Sequence, residues 1–423
     1  MSNDSRRKFL TRFGQGTLGA ITLPVFGGNL SNDWNPTGLN AFTNAEEYWS
    51  LVKSQFQLLE GLHYFNNASL GASSTHIQQA TNQFRNLLDG FPSKYMWGGW
   101  KEEKEEVRQK VAGLFSVAAE EIALIHNTTE GMNLIARSFD LQPGDEVILA
   151  NHEHSSGRIP WEVWHETKGI QLVRPELPIL PKTVSELVEV YQKAITSKTK
   201  VISMCHMVNT NGMILPVKEV SKMAHEKGIP VAVDGAQTAG MFTIDLNDLG
   251  CDFYTASSHK WLFSPKGVGV FYAKKESQPL LKPLMVARGH TDKSIRRLEN
   301  YNTRNLPEVL GLGASVDFQN IIGPERIHNR TFELKKYFRS QIENDSRFSI
   351  KSPEADDLSA AIQVVEVNGK EVGTIKKELW ESYGIDCRPM SSHGLNALRL
   401  SFAIYITKKD IDYLIGVLKQ LAG

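Results

Sequence analysis

An acid and a lysine stand at the ends of successive strand-like runs. The run Ile229-Pro-Val-Ala-Val-Asp-Gly-Ala-Gln-Thr is an apolar strand ending in an acid, Asp234, and the carboxyl ends of strands are where open α/β sheets bind ligands. Lys260 follows 26 positions later, within Ser257-Ser-His-Lys-Trp, after a second strand and ahead of Gly267-Val-Gly. Singly, a strand-end aspartate is an ordinary cap and a lysine an ordinary solvated charge. At successive strand ends they are the pair that pyridoxal phosphate requires. The lysine amine forms a Schiff base with the cofactor, and a carboxylate opposite the pyridine nitrogen keeps that nitrogen protonated, so that the ring can accept electrons from a substrate carbon.

The stretch from 230 to 269, with Val-Asp-Gly-Ala-Gln, then Ser-x-His-Lys, then Pro-Lys-Gly-Val-Gly, resembles the class V aminotransferases among the fold type I pyridoxal phosphate enzymes. That superfamily includes cysteine desulfurases, kynureninases and isopenicillin N epimerases, and the resemblance covers about residues 60–410. It implies roles at further positions. Asn127-Thr-Thr-Glu-Gly-Met-Asn follows a strand and opens a helix, so Thr128 and Thr129 would hold the cofactor phosphate at the helix N-terminus; an ordinary N-cap has the same pattern. His154 matches the imidazole that stacks on the pyridine ring. Asn209 and Gln237 match the side chains near the phenolic oxygen, and Ser257 and His259 match phosphate ligands beside the lysine. Thr303 falls where family members donate a phosphate contact from a neighbouring subunit, which implies a homodimer with shared sites. In Leu398-Arg-Leu-Ser-Phe-Ala-Ile-Tyr, Arg399 matches the clamp for a substrate carboxylate, a planar fork suited to bidentate pairing.

These residues need a frame. Strand-like runs at 122–125, 146–150, 171–174, 200–205, 230–234, 253–256 and 267–272 alternate, in the earlier part, with helical stretches such as 100–115 and the one opening at Glu130. Such alternation predicts an α/β fold, a mostly parallel seven-stranded sheet between helices, with the cofactor-binding domain over 75–305. Residues 308–345 read as a long helical connection, and 306–423 as that helix plus a smaller α+β domain. The mixed charges of Lys101-Glu-Glu-Lys-Glu-Glu-Val-Arg read as a solvated helix face. The aromatic stretch Tyr95-Met-Trp-Gly-Gly-Trp100 suits either the wall of a wide entrance or packing between subunits.

Composition narrows the function. With 423 residues, 47 Lys plus Arg against 47 Asp plus Glu, and 41% hydrophobic residues, the chain is neither a disordered polymer nor a protein built to neutralise nucleic-acid phosphates. Cys205, Cys251 and Cys387 are scattered without metal or disulfide spacing. His152 and His154 lack a third ligand, so no metal site is expected. Ser5-Arg-Arg-Lys-Phe-Leu-Thr before a short apolar stretch has the grammar of an export signal. It resembles a twin-arginine (Tat) leader over residues 1–30, departing from it at Thr11, with 31–74 as an N-terminal arm. The leader implies dealings with the Tat machinery and a periplasmic or exported enzyme, cytoplasmic if the leader reading fails. The apolar run is too short and glycine-rich for stable membrane insertion.

The reaction is narrowed by exclusion. Desulfurases carry a nucleophilic cysteine on a loop ahead of the carboxylate arginine, and the interval from Arg388 to Arg399 has none. Chemistry at the α-carbon of an amino acid remains: amino transfer, epimerisation of the isopenicillin N epimerase type, or elimination, with a C–S lyase or desulfurase-like lyase as the alternative. Retention of Lys260, Asp234, His154 and Gln237 argues against a binding protein that has lost catalysis. An exported enzyme would meet an amino acid end on a larger body.

Overall fold

The computed structural model describes residues 45–423; the leader and residues 31–44 of the arm lie outside the described residues. Short strands β1 (His63–Tyr64) and β11 (Ile385–Asp386) pair in parallel at one margin. The central sheet is built from β2 (Ile122–Ile125), β3 (Glu146–Ile148), β4 (Gln171–Val173), β5 (Thr199–Cys205), β6 (Val231–Asp234), β7 (Phe253–Ser257) and β8 (Gly269–Ala273), in the order β2-β8-β7-β6-β5-β3-β4. Only β8 runs against its neighbours. The expected mostly parallel seven-stranded α/β sheet is therefore present.

Its strands read as continuous apolar runs because both faces are covered. Along β2, Ile122 and Leu124 enter one buried cluster, while Ala123 and Ile125 enter the other. Along β8, Val270 and Tyr272 likewise part from Phe271 and Ala273. This is the two-residue period of a strand sandwiched between helices.

A second sheet, antiparallel throughout, joins β9 (Phe348–Ile350), β10 (Ile362–Val367), β12 (Arg388–Met390) and β13 (Ala397–Ser401) in the order β12-β13-β10-β9.

Two expectations need correction. The long connection over 308–345 is two helices, Leu306–Ile322 and Pro324–Ile342. Gly323, at φ +96°, breaks the first, and Pro324 opens the second, where its missing N–H costs nothing. The charged run from Lys101 is not solvated throughout either. Arg108, in helix Lys101–Leu114, is fully buried and pairs with the buried Glu299 and with Glu105. Glu299 in turn accepts the Leu124 N–H at 2.7 Å. The aromatic stretch divides: Trp100 is buried and stacks on Tyr95 at 4.7 Å, while Trp97 stays exposed.

Candidate active site

The chemistry-bearing residues gather at the carboxyl ends of the parallel strands. Asn127–Thr129 follow β2, His152–His154 follow β3, His206–Asn209 follow β5, Asp234–Gln237 end and follow β6, and Ser257–Lys260 end and follow β7. Asn127 caps helix Thr128–Ser138 by accepting the Glu130 N–H at 3.0 Å. Its first turn meets β7 directly: Thr128 N donates to Ser257 Oγ at 3.0 Å, and Ser257 Oγ to Thr128 Oγ1 at 2.9 Å. Close approach is possible because of Gly131, where a Cβ would stand 2.0 Å from Thr255 Oγ1. Thr129 Oγ1 donates to Ser156 Oγ at 3.0 Å, and Ser156 also meets His154 Nδ1 at 3.0 Å. The two helix starts are thus tied together through Thr129 and Ser156, and the first is tied to the end of β7 through Thr128 and Ser257. His259 Nδ1 is buried without a partner. Burial first, then Lys260 and Lys266, lowers its pKa to about 4, so the ring is neutral at pH 7.

Lys260 is partly buried, and its amine makes no hydrogen bond or ion pair among the described residues. Burial lowers its pKa to about 8, with Arg399 and Arg388 pushing the same way and Asp234 opposing. The loop at Gly71 packs against the backbone of this lysine. Gly71 N donates to His259 O at 2.9 Å, and a Cβ on Gly71 would stand 2.1 Å from the Lys260 carbonyl oxygen. Any side chain there would displace the lysine. Gln237 is fixed at both ends, donating to Ala68 O at 2.9 Å and accepting from Trp261 Nε1 at 3.1 Å.

Asp234 is buried and accepts the Ala236 N–H at 2.9 Å. Burial pushes its carboxyl up, while Ala236 N–H, Lys260 and His154 favour the charged form. Behind it lies a carboxyl that no sequence motif flagged. Glu153 is buried, accepts Cys205 N at 3.0 Å through Oε1, and leaves Oε2 unpaired. Burial, reinforced by the Asp234 charge and opposed by Cys205 N–H, pushes Glu153 up to about 8. A carboxyl with a higher pKa folded than unfolded takes up a proton on folding, so stability falls as pH rises from about 4.5 to about 8. Glu153→Gln should remove that slope. Thermal melts of variant and wild type across this range should diverge in favour of the variant as pH rises; parallel profiles would show that Glu153 is not protonated in the fold.

Arg399, on β13, is buried. Nη1 donates to Asn209 O at 2.9 Å and Nη2 to Ser69 Oγ at 2.7 Å, while Nε has no partner. Asn209 therefore meets the arginine through its backbone; no hydrogen bond of its side chain is present among the described residues. Thr303 is exposed on the segment before helix Leu306–Ile322, and no hydrogen bond joins it to the other candidates within this chain. Ser69 and Asn66 escaped sequence reasoning because nothing local marks a loop 330 residues from its partner.

The arrangement fits pyridoxal phosphate on observations of this chain. Hydroxyls and a helix N-terminus stand beside an unpaired imidazole nitrogen, a buried acid stands one strand away, and an uncommitted amine of lowered pKa feels both that acid and Arg399. Among the described residues, no group of three or more His, Cys, Asp or Glu could hold a metal ion.

Comparison with known proteins agrees. The chain is 30% identical over 392 residues to the isopenicillin N epimerase of Streptomyces clavuligerus, covering 89% of this chain and 98% of that one. Its structure is similar to the cysteine desulfurase CsdA of Escherichia coli, with TM-score 0.77, 25% identity and coverage of 92% and 98%. It also shares the fold of a C-DES mutant with glycine covalently linked to the PLP cofactor, with TM-score 0.77, 21% identity and coverage of 88% and 98%. The cofactor of this fold and family is pyridoxal 5'-phosphate. The model of the class V aminotransferases matches residues 64–414, and the chain is a member of that family.

Proposed function

We propose that the enzyme moves a proton at the α-carbon of an amino acid, or of an amino acid end on a larger metabolite, and completes either epimerisation or amino transfer. When bound, pyridoxal phosphate supplies an electron sink for the charge that develops at that carbon. Thr128, Thr129, Ser257 and His259 would hold its phosphate, Asp234 its ring nitrogen, Gln237 and Asn209 its ring oxygen, and His154 its face. Lys260 anchors the cofactor and then takes and returns the proton, a task suited to an amine whose pKa is brought down to about 8. Arg399 orients the substrate by its carboxylate. We further propose a homodimer in which Thr303 serves the neighbouring copy, and export directed by the Arg6-Arg7 leader.

One observation supports proton return over sulfur removal through a protein thiol. Cys205, Cys251 and Cys387 are all buried, and burial pushes Cys387 up to about 12. A neutral, enclosed thiol is a poor nucleophile. The loop between β12 and β13 offers Ser391, Ser392 and His393 instead. Incubating the holoenzyme with single L-amino acids in D2O tests the reading. Deuterium should enter at the α-carbon, accompanied by the D-isomer or by a stoichiometric keto acid. Release of sulfide, or of pyruvate with ammonia, would overturn it in favour of a lyase.

A further inference from the structure

The second sheet brings a second arginine to the site. In the β12–β13 pairing, Arg388 lies directly opposite Arg399. Residues directly opposite in an antiparallel pair project from the same face, and like charges in that relation are destabilising. The destabilisation is not relieved among the described residues. Arg399 donates only to neutral oxygens, those of Asn209, Ser69 and, at 3.5 Å, Asn66. Arg388 is exposed and makes no hydrogen bond or ion pair among the described residues.

Nearby acids are committed elsewhere. Asp386 receives Lys376 and Asn66, and Glu366 receives Lys351. The charge on Arg388 nevertheless reaches the reacting groups, since it weighs on Lys260, His154 and Arg399 alike. Two cations therefore stand on one face of the sheet, and no carboxylate among the described residues pairs with either.

A single substrate carboxylate compensates one of them. We propose that Arg388 is the subsite for a second anion, and that the substrate is an amino acid whose side chain carries a carboxylate or an equivalent oxyanion a few bonds from the α-carbon. This rests on the reading of Arg399 as the clamp for the α-carboxylate. The second anion selects the substrate: Arg388 is exposed and its guanidinium is uncommitted, so it can meet the side-chain group, while Arg399 is held by its fixed partners.

Calorimetric titration of the holoenzyme with succinate and with butyrate tests this, because the two probes share a chain length and differ by one carboxylate. Wild type should bind succinate about 10-fold or more tighter, the scale of one charge-assisted hydrogen-bonded pair. Arg388→Met should bring succinate down to the level of butyrate and leave butyrate unchanged, and Arg388→Lys should keep part of the preference. Equal weakening of both probes in Arg388→Met would mean that both arginines grip one carboxylate, and an intact preference would mean that Arg388 is not the subsite; either overturns the proposal. A change in sedimentation without a change in the succinate preference would also overturn it, assigning Arg388 to an interface between copies. Butyrate binding that survives Arg399→Met would sink the clamp reading separately, while the ratio of the two probes in Arg388→Met still reports on the second anion.

Discussion

Lys260→Ala should lower turnover by more than about 10^4-fold, since on the proposed function it removes both the covalent anchor of the cofactor and a proton-transfer group that alone is worth about 10^2–10^4. Lys260→Arg should be nearly as inactive: it keeps the charge, yet a guanidinium cannot give up its proton in this pH range. The loss should be chemical and not structural. The amine has no hydrogen bond or ion pair among the described residues, and removing a buried charge of that kind spares a desolvation cost. Thermal melts of the cofactor-free alanine variant should therefore match or exceed those of cofactor-free wild type. Borohydride reduction followed by peptide mass mapping should add the cofactor to the Lys260 peptide in wild type alone. Turnover within ten-fold of wild type would overturn the assignment of this lysine.

The place of the lysine just after a strand end was readable because its signal is local: a strand, a polar turn and a glycine pair within the seventeen residues from Phe253 to Gly269. The same holds for Asp234 at the end of β6 and for Asn127–Thr129 at a helix start, where strand end and cap are written in adjacent residues. What the sequence hides is contact over long separations. Gly71 looks like any loop glycine, yet it lies against Lys260, and Ser69 and Asn66 grip an arginine more than 300 positions away. Arg108 was misread for a related reason. A helix-face pattern counts charges three and four residues apart and says nothing of a buried acid arriving from residue 299. Glu153 was hidden by its neighbour: between two histidines it looks polar and exposed, whereas the turn after β3 points it inward beneath Cys205 N. The split at Gly323-Pro324 was visible in the residues and outweighed by the apolar periodicity on either side.

Asp234→Asn should cost on the order of 10^3-fold in kcat. A unit charge near hydrogen-bond reach, at an effective dielectric of about 20, is worth about 4 kcal/mol, which is about 10^3 in rate. Asparagine can keep the oxygen that accepts Ala236 N–H, so the fold should survive and the loss should report charge alone. Glu153 then becomes testable through its neighbour. Burial pushes Glu153 up to about 8, so on ionising it adds a second negative charge beside Asp234. Wild-type activity should show a step near pH 8, and Glu153→Gln should remove that step while changing little at pH 7. In the Asp234→Asn background the same replacement should have no effect at any pH, because there is no charge left to disturb. If Glu153→Gln instead lowers kcat equally in both backgrounds, Glu153 acts through packing around Cys205 and not through the aspartate. The step near pH 8 separates the two, since a packing role has no reason to follow the titration of a carboxyl.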